Sequence, residues 1–558
     1  MRKFFSAIAV VVGLVALLLG VGQRTIWAPP ETLTASIAQA PKGSPLTVIE
    51  SGVVSASDTP VQLTIESKGT FSASLGRAED VNAWVDGSAH TTIRGVDKSN
   101  LVLDAESTPG KATSPNPAGA DLFYGSETAK DTMTYRWSAP DDGNWSLLLA
   151  ANGKADAPTN VTVSWAGNTD TPFSMPLIVV GSLLVLLGLA GLLTRGRGKG
   201  TASRAMLDSP RRESRGQTEG SGNGTAKRLA AGATALSLLV LPASPALAVG
   251  AAVSVVDGGT ATSYPVLMPE QLKRILDSVS TTVSESDKKR DAKTLGYRAA
   301  GGALRLRKAN YKLLSDGVKV RVATPFSVDV IRSAAVTTST DFPRNIMIVT
   351  AKDNNPETIP SVLALTQKTP WDNYKLVSAP AMLAGATFPG IGVGDSAVQS
   401  LKPGDKTLKT SPEVALTQLA NVLDNDKAKE KADFADNPYI KINATEQAAL
   451  AKANAKNAVV KFDRTVIPAD TMVLSAPDGG AVVMGQLTST TTVTPKELGG
   501  KVVLDSITSK ITGVKETDKG IVVSYGESML LYVPAAGSAD KIRLVAVESI
   551  TLGAQLKK

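Results

Sequence analysis

The sequence has no cysteine, and among its 558 residues there is one histidine, His90. Without cysteine there are no disulfides, no thiol catalysis, no Cys-ligated zinc and no iron–sulfur cluster. A lipid-modified cysteine anchor is excluded as well, so attachment to a membrane has to come from helices. His90 stands in GSAHTT between two predicted strands, where a lone histidine reads as a strand or surface residue. Residues 249–558 contain none, which removes Ser-His-Asp and Cys-His machinery and His-ligated zinc from the larger part of the chain. Phosphate-cradling signals are missing too: no G-x-x-x-x-G-K-[ST] occurs, and Gly390-Ile-Gly-Val-Gly394 neither follows a strand nor opens a helix, so it reads as a connection. No S-x-x-K set appears with its companion motifs. The sequence therefore assigns no catalytic residue, no cofactor and no metal ligand.

An excess of acidic residues is also lacking, and the net charge is +8. That surplus is local. Residues 195–228 hold 9 Lys or Arg against 3 Asp or Glu, and Arg2 and Lys3 add two more; the remainder carries 48 of each sign. The basicity marks chain segments beside apolar runs, and the rest is neutral overall, which argues against a phosphate-binding surface and against nucleic acid as a partner.

Three apolar runs organise the chain. Residues 176–193, PLIVVGSLLVLLGLAGLL, are uncharged and bordered at once by Arg195, Arg197 and Lys199. Roughly 20 such residues cross about 30 Å of hydrocarbon, and the basic flank places that end in the cytoplasm by the positive-inside rule. Residues 1–22 begin with Arg2 and Lys3 and continue as FFSAIAVVVGLVALLLGVG, which reads as a signal anchor in preference to a cleaved signal, because Gly20-Val-Gly22 is a poor A-x-A site. Between 175–194, read as a transmembrane helix, and the third run lies 195–228, a Gly/Ser/Arg-rich cytoplasmic linker. Residues 229–248 have the layout of a secretory signal in mid-chain, ending in Ala246-Leu-Ala248. Cleavage after Ala248 would release residues 249–558; left uncut, the segment is a third span.

Residues 23–172 carry short β-branched and aromatic runs, such as VQLTIES, HTTIRGV and VTVSWA, separated by Gly, Pro, Asn and Asp. They read as an exported β-sandwich, with Trp84, Trp137, Trp145 and Trp165 in its core. Residues 249–389 and 411–558 each run from helices into strands and read as two exported α+β lobes joined by 390–410. In the first, a helix from Pro269 and another over 287–314 precede strands that include 318–323; in the second, Ser411 and Pro412 open a helix, and strands include 502–514. Arg305, Lys308 and Lys312, at i, i+3 and i+7, set three cations on one helix face, a solvated stripe or a contact for an anionic polymer or headgroup.

The combination of Gly76-Arg-Ala-Glu-Asp-Val-Asn-Ala-Trp84 in a β-domain, a span with a basic Gly/Arg tail, and Ser361-Val-Leu-Ala-Leu-Thr-Gln-Lys368 before Pro370-Trp371 and Tyr374-Lys-Leu-Val377 resembles membrane-anchored envelope proteins of unknown function from high-GC Gram-positive bacteria (actinobacteria). The lobes are similar in outline to cystatin-like or nuclear-transport-factor-like domains. The resemblance implies an exported location at the cell membrane and no particular activity, since sheet-pocket folds host enzymes and inert binding modules alike. Two functions are expected on this basis. The first is a non-enzymatic envelope protein that binds a protein, peptide or envelope polymer through its sheet concavity. The alternative is an envelope-acting hydrolase or transferase using carboxylates in the lobes, which needs a concave pocket holding at least two of them.

Overall fold

The computed structural model describes residues 2–38, 43–57, 60–137, 139–140, 143–193, 264–389, 391 and 398–558. The segments expected at 195–228 and 229–248, with Ala246 and Ala248, lie outside these, as do Gly390, Gly392 and Gly394. The chain forms two units, one holding the apolar helices and one holding residues 30–168 together with 262–558.

In the first unit, α1 (Arg2–Arg24) and α3 (Ser174–Leu193) are long and apolar enough to cross a membrane by length and composition. They pair antiparallel through glycines. A Cβ on Gly13 would lie 2.7 Å from the Gly181 carbonyl oxygen, one on Gly20 2.8 Å from that of Ser174, and one on Gly188 2.8 Å from that of Ser6. Spacing by seven residues, two helical turns, keeps Gly13 with Gly20 and Gly181 with Gly188 on one stripe, where the missing side chains let the backbones touch. Phe4, Val11, Leu18, Leu183 and Leu186 point outward and are exposed.

In the second unit, residues 30–168 form eight strands: β1 (Thr32–Ser36), β2 (Leu46–Glu50), β3 (Gln62–Arg77), β4 (His90–Asp97), β5 (Val102–Thr108), β6 (Gly125–Arg136), β7 (Trp145–Ala150) and β8 (Asn160–Ala166), with α2 (Ala78–Val85) after β3. The expected sandwich closes into a barrel. β3 has a bulge between Glu66 and Thr70; before it the strand pairs with β8, after it with β7, and β6 flanks both halves. One bent strand thus joins what would be two sheets and removes their edges at that seam. Ile49, Leu63, Ile65, Ile93, Leu147, Leu149 and Val163 fill the interior, with Trp145 and Trp165 buried and Trp137 packed at the margin. Trp84 is buried as well, carried by α2 and packed against the outer face of β2 and β7.

Residues 264–558 build α4 (Pro269–Lys289), α5 (Ala292–Arg298), α6 (Gly301–Ser315), β9 (Val330–Val336), β10 (Arg344–Ala351), β11 (Ser361–Gln367), β12 (Lys375–Ser378) and β13 (Ala381–Met382), followed by α7 (Pro412–Asp424) and α8 (Pro438–Asn454). Then come β14 (Ala458–Val466), β15 (Met472–Ser475), β16 (Ala481–Pro495), β17 (Val502–Val503), α9 (Ser506–Thr512), β18 (Glu516–Thr517), β19 (Ile521–Val533) and β20 (Arg543–Leu556). The two helix-then-strand regions share a single ten-stranded sheet, ordered β14-β16-β19-β20-β13-β11-β10-β9, because β13 pairs with β20 at Val547 and Ala546. Helices α4 to α6 cover Ala334, Ile346, Leu363 and Leu376; α7 and α8 cover Val483, Leu487, Met529 and Leu531. The opposite faces meet each other, Met347 and Val362 packing in one cluster with Val482, Leu530 and Ala546.

Three local expectations change. The helix expected over 287–314 breaks at Arg290, in the left-handed region at φ 55°, because the Asp291 side chain then accepts from the Lys293 and Thr294 amides and starts α5. Residues 318–323 make no strand; the Asn310 side chain donates to the Arg321 carbonyl at 2.7 Å and accepts from the Ala323 amide at 3.3 Å, taking the place of a neighbouring strand. Within 502–514 a helix forms, since Asp505 caps it through the Ile507 and Thr508 amides and Gly513 closes it in the left-handed conformation. Both end signals outweigh the β-branched run between them.

The barrel and the α+β region dock through buried charge. Arg344 of β10 donates to Asp80 of α2 at 2.5 Å, with side chains 1% and 5% exposed. Asp121 is a hub: its carboxylate takes two bonds from Arg298 and one from the Tyr374 amide at 2.8 Å, while its own amide donates to Asn373 at 3.0 Å. Gln271 and Arg274 of α4 donate to the carbonyls of Asp121 to Tyr124, and the Trp371 indole donates to the Trp84 carbonyl at 2.9 Å. Phe342 packs on the cluster around Trp84 and Phe123.

The helix pairing can be tested in a chain that has no native cysteine to interfere. A Cβ on Gly191 would lie 3.3 Å from the Ser6 Cβ, close to the range of a disulfide. Ser6→Cys with Gly191→Cys should therefore cross-link on oxidation of membranes, read as a mobility shift that reduction reverses, and adding Gly181→Leu should suppress it.

Candidate ligand-binding cleft

The curved sheet of β14, β16, β19 and β20 is concave beneath α8, and between them lies a cleft of about 460 Å³. Its floor is set by strand register. Arg464 of β14 faces Ser489 of β16, Ser489 faces Tyr525 of β19, and Tyr525 faces Thr551 of β20, so one row crosses four strands on one face. Phe462 opposite Thr491 forms the next row, and Ser549 stands opposite Glu527. Tyr439, Asn443, Glu446, Gln447 and Leu450 of α8 make the roof. The floor thus alternates hydroxyls with aromatic rings, and Glu446 and Arg321 are exposed at the rim.

Arg464 fixes the deep end. Its Nε and Nη2 donate to the two oxygens of Glu527 at 2.9 and 3.2 Å, Nη1 donates to Asp424 at 2.8 Å and to the Leu423 carbonyl at 3.0 Å, and Nη2 also reaches Asn443 at 3.1 Å. Every N–H of the guanidinium fork is thereby used. Burial lowers the Arg464 pKa, but Glu527 and Asp424 more than reverse this and hold it cationic. Burial likewise pushes Glu527 upward, and Arg464 opposes that incompletely. Burial also raises the hydroxyls of Tyr439 and Tyr525, so both rings present neutral O–H groups. With both oxygens of Glu527 committed, the buried carboxylate of the cleft is a structural partner, and the second carboxylate, Glu446, is exposed on the roof. A cleft of this kind orients neutral hydroxyl and amide groups and stacks rings against a ligand.

The roof is held lightly. Ile440 is the one buried residue of α8, and the helix is tied down by Asn443 and Gln447, which both donate to the Leu423 carbonyl at 2.8 and 2.9 Å. Ile442 is 56% and Leu450 39% exposed, so a helix of 17 residues rests on few apolar contacts.

The three cations singled out in the sequence lie elsewhere, on α6. Arg305 donates to Asp470 at 2.8 Å and Lys312 to Asp316 at 2.7 Å, while Lys308 is exposed. Arg307, between them, is fully buried near Asp287. His90 lies in β4, its Nδ1 2.8 Å from the Ser88 carbonyl. Among the described residues no group of three or more His, Asp or Glu side chains could hold a metal ion. Sequence reasoning passed over Arg464, Glu527 and Asp424, which are 40 to 103 positions apart and carry no local motif; the alternation of Phe462 with Arg464 on an edge strand was the available signal.

Truncating Arg464 to Ala leaves two carboxylates without their partner and should cost about 3–5 kcal/mol, whereas Arg464→Met with Glu527→Met should recover most of that loss. Thermal unfolding and hydrogen exchange at the β14 and β19 amides measure both. No family model, curated protein or solved structure matches the chain.

Proposed function

We propose that this chain is a membrane-anchored cell-envelope protein, non-enzymatic, that binds a neutral, hydroxyl-rich segment of envelope polymer in the cleft under α8. The reading rests on the floor itself: Ser489, Tyr525, Thr551, Phe462 and Thr491 form an uncharged surface of rings and hydroxyls, and the charge beneath it is already paired. Sugars present CH faces for stacking and hydroxyls for hydrogen bonds, which is the complement of such a surface. Two apolar helices supply the anchor. The basic residues after 193 favour the cytoplasmic side for that end of α3, and the barrel between the two helices then lies outside.

Retention of the detergent-solubilised full chain on envelope polymer stripped of its anionic groups tests this. Tyr525→Ala should weaken retention about tenfold, equivalent to ~1.4 kcal/mol, and added salt should change little because no free charge lines the floor. Failure of the unmodified protein to bind, or equal binding by the variant, overturns the reading. Hydrolysis of the polymer during the assay would favour the carboxylate enzyme instead.

A further inference from the structure

We propose that the barrel face around Asp80 and Asp121 is a docking surface for residues 264–558 that holds without the connecting chain, so that a cut between the two regions leaves a two-chain complex and releases no fragment. The contact is built like a domain interior. Asp80 and Arg344 are 5% and 1% exposed, and Asp121 and Arg298 are 4% and 12% exposed. Each ion pair takes one charge from each side, so the match of two carboxylates to two guanidinium groups fixes the register of the two faces and couples them across the contact. Backbone groups are used as well, with Asp121 giving its amide, its carbonyl and both carboxylate oxygens to four residues of the other region. The partner that fits this face is therefore the chain's own α+β region, recognised by two arginines at fixed separation and by Phe342 against the Trp84 and Phe123 cluster.

Such a contact has two consequences. Processing after Ala248 would not set the C-terminal region free. Whichever side of a membrane holds the barrel also holds residues 264–558, because the two dock within one unit.

The test places a site-specific protease sequence between Gly258 and Gly259 of the full chain, beyond the apolar run 229–241. Membranes are opened, cut to completion and washed at about 1 M salt, which screens exposed pairs and leaves buried ones. The C-terminal fragment is expected to stay in the pellet, and its appearance in the wash overturns the proposal. Asp121→Ala with Arg298→Ala removes both charges of one pair together and should move most of the fragment to the wash while it keeps its resistance to trypsin. Arg274→Ala with Trp371→Ala, which deletes bonds to barrel carbonyls without stranding a charge, should loosen it in the same direction. Retention of the fragment at the unmodified level in both variants also overturns the proposal.

Discussion

The Asp121 carboxylate and its neighbour Asp80 are the constraint on which the large unit depends. Two carboxylates removed from water need cations of matching geometry, and a guanidinium that donates to both oxygens of one carboxylate meets the need better than a point charge. Arg298 at the end of α5 meets both oxygens of Asp121 in this way, and Arg344 at the start of β10 donates through Nη2 to Oδ1 of Asp80. Their positions fix the elements that carry them: Arg298 closes the short helix that Asp291 caps, and Arg344 begins the strand that pairs with both β9 and β11. The barrel therefore sets the geometry of the first half of the α+β region, and the shared sheet carries that geometry through β13 to β20.

The same device recurs at the far end of the sheet with another purpose. Arg464 ties the last turn of α7 to β14 and β19 through Asp424 and Glu527, and in doing so it neutralises the deep end of the cleft. What remains open to a ligand is the row of hydroxyls and rings. The weakly anchored α8 above it has little apolar burial to lose by moving, since Ile440 is its single buried residue.

The small unit obeys other rules. Its helix α3 is apolar all round, so there the contact stripe is set by glycine, where backbones approach most closely. The large unit uses buried ion pairs and cores for cohesion; the helix pair uses the absence of side chains.

By itself the sequence determined the features that depend on near neighbours. Uncharged runs of the right length marked α1 and α3, β-branched and aromatic runs bounded by turn residues marked barrel strands such as β3, β4 and β8, and Pro412 after Ser411 marked the start of α7. It failed where an end signal or a distant side chain outweighed the local pattern, as at Asp505 for α9 and at Asn310 for residues 318–323. Barrel closure, the sheet shared by both α+β halves, and the groups around Arg464 and Asp121 were decided by tertiary structure alone. Their physical reason is common: strand pairing and ion pairing join residues tens to hundreds of positions apart, and nothing in the neighbouring sequence records which distant partner will neutralise a buried charge or complete a strand edge.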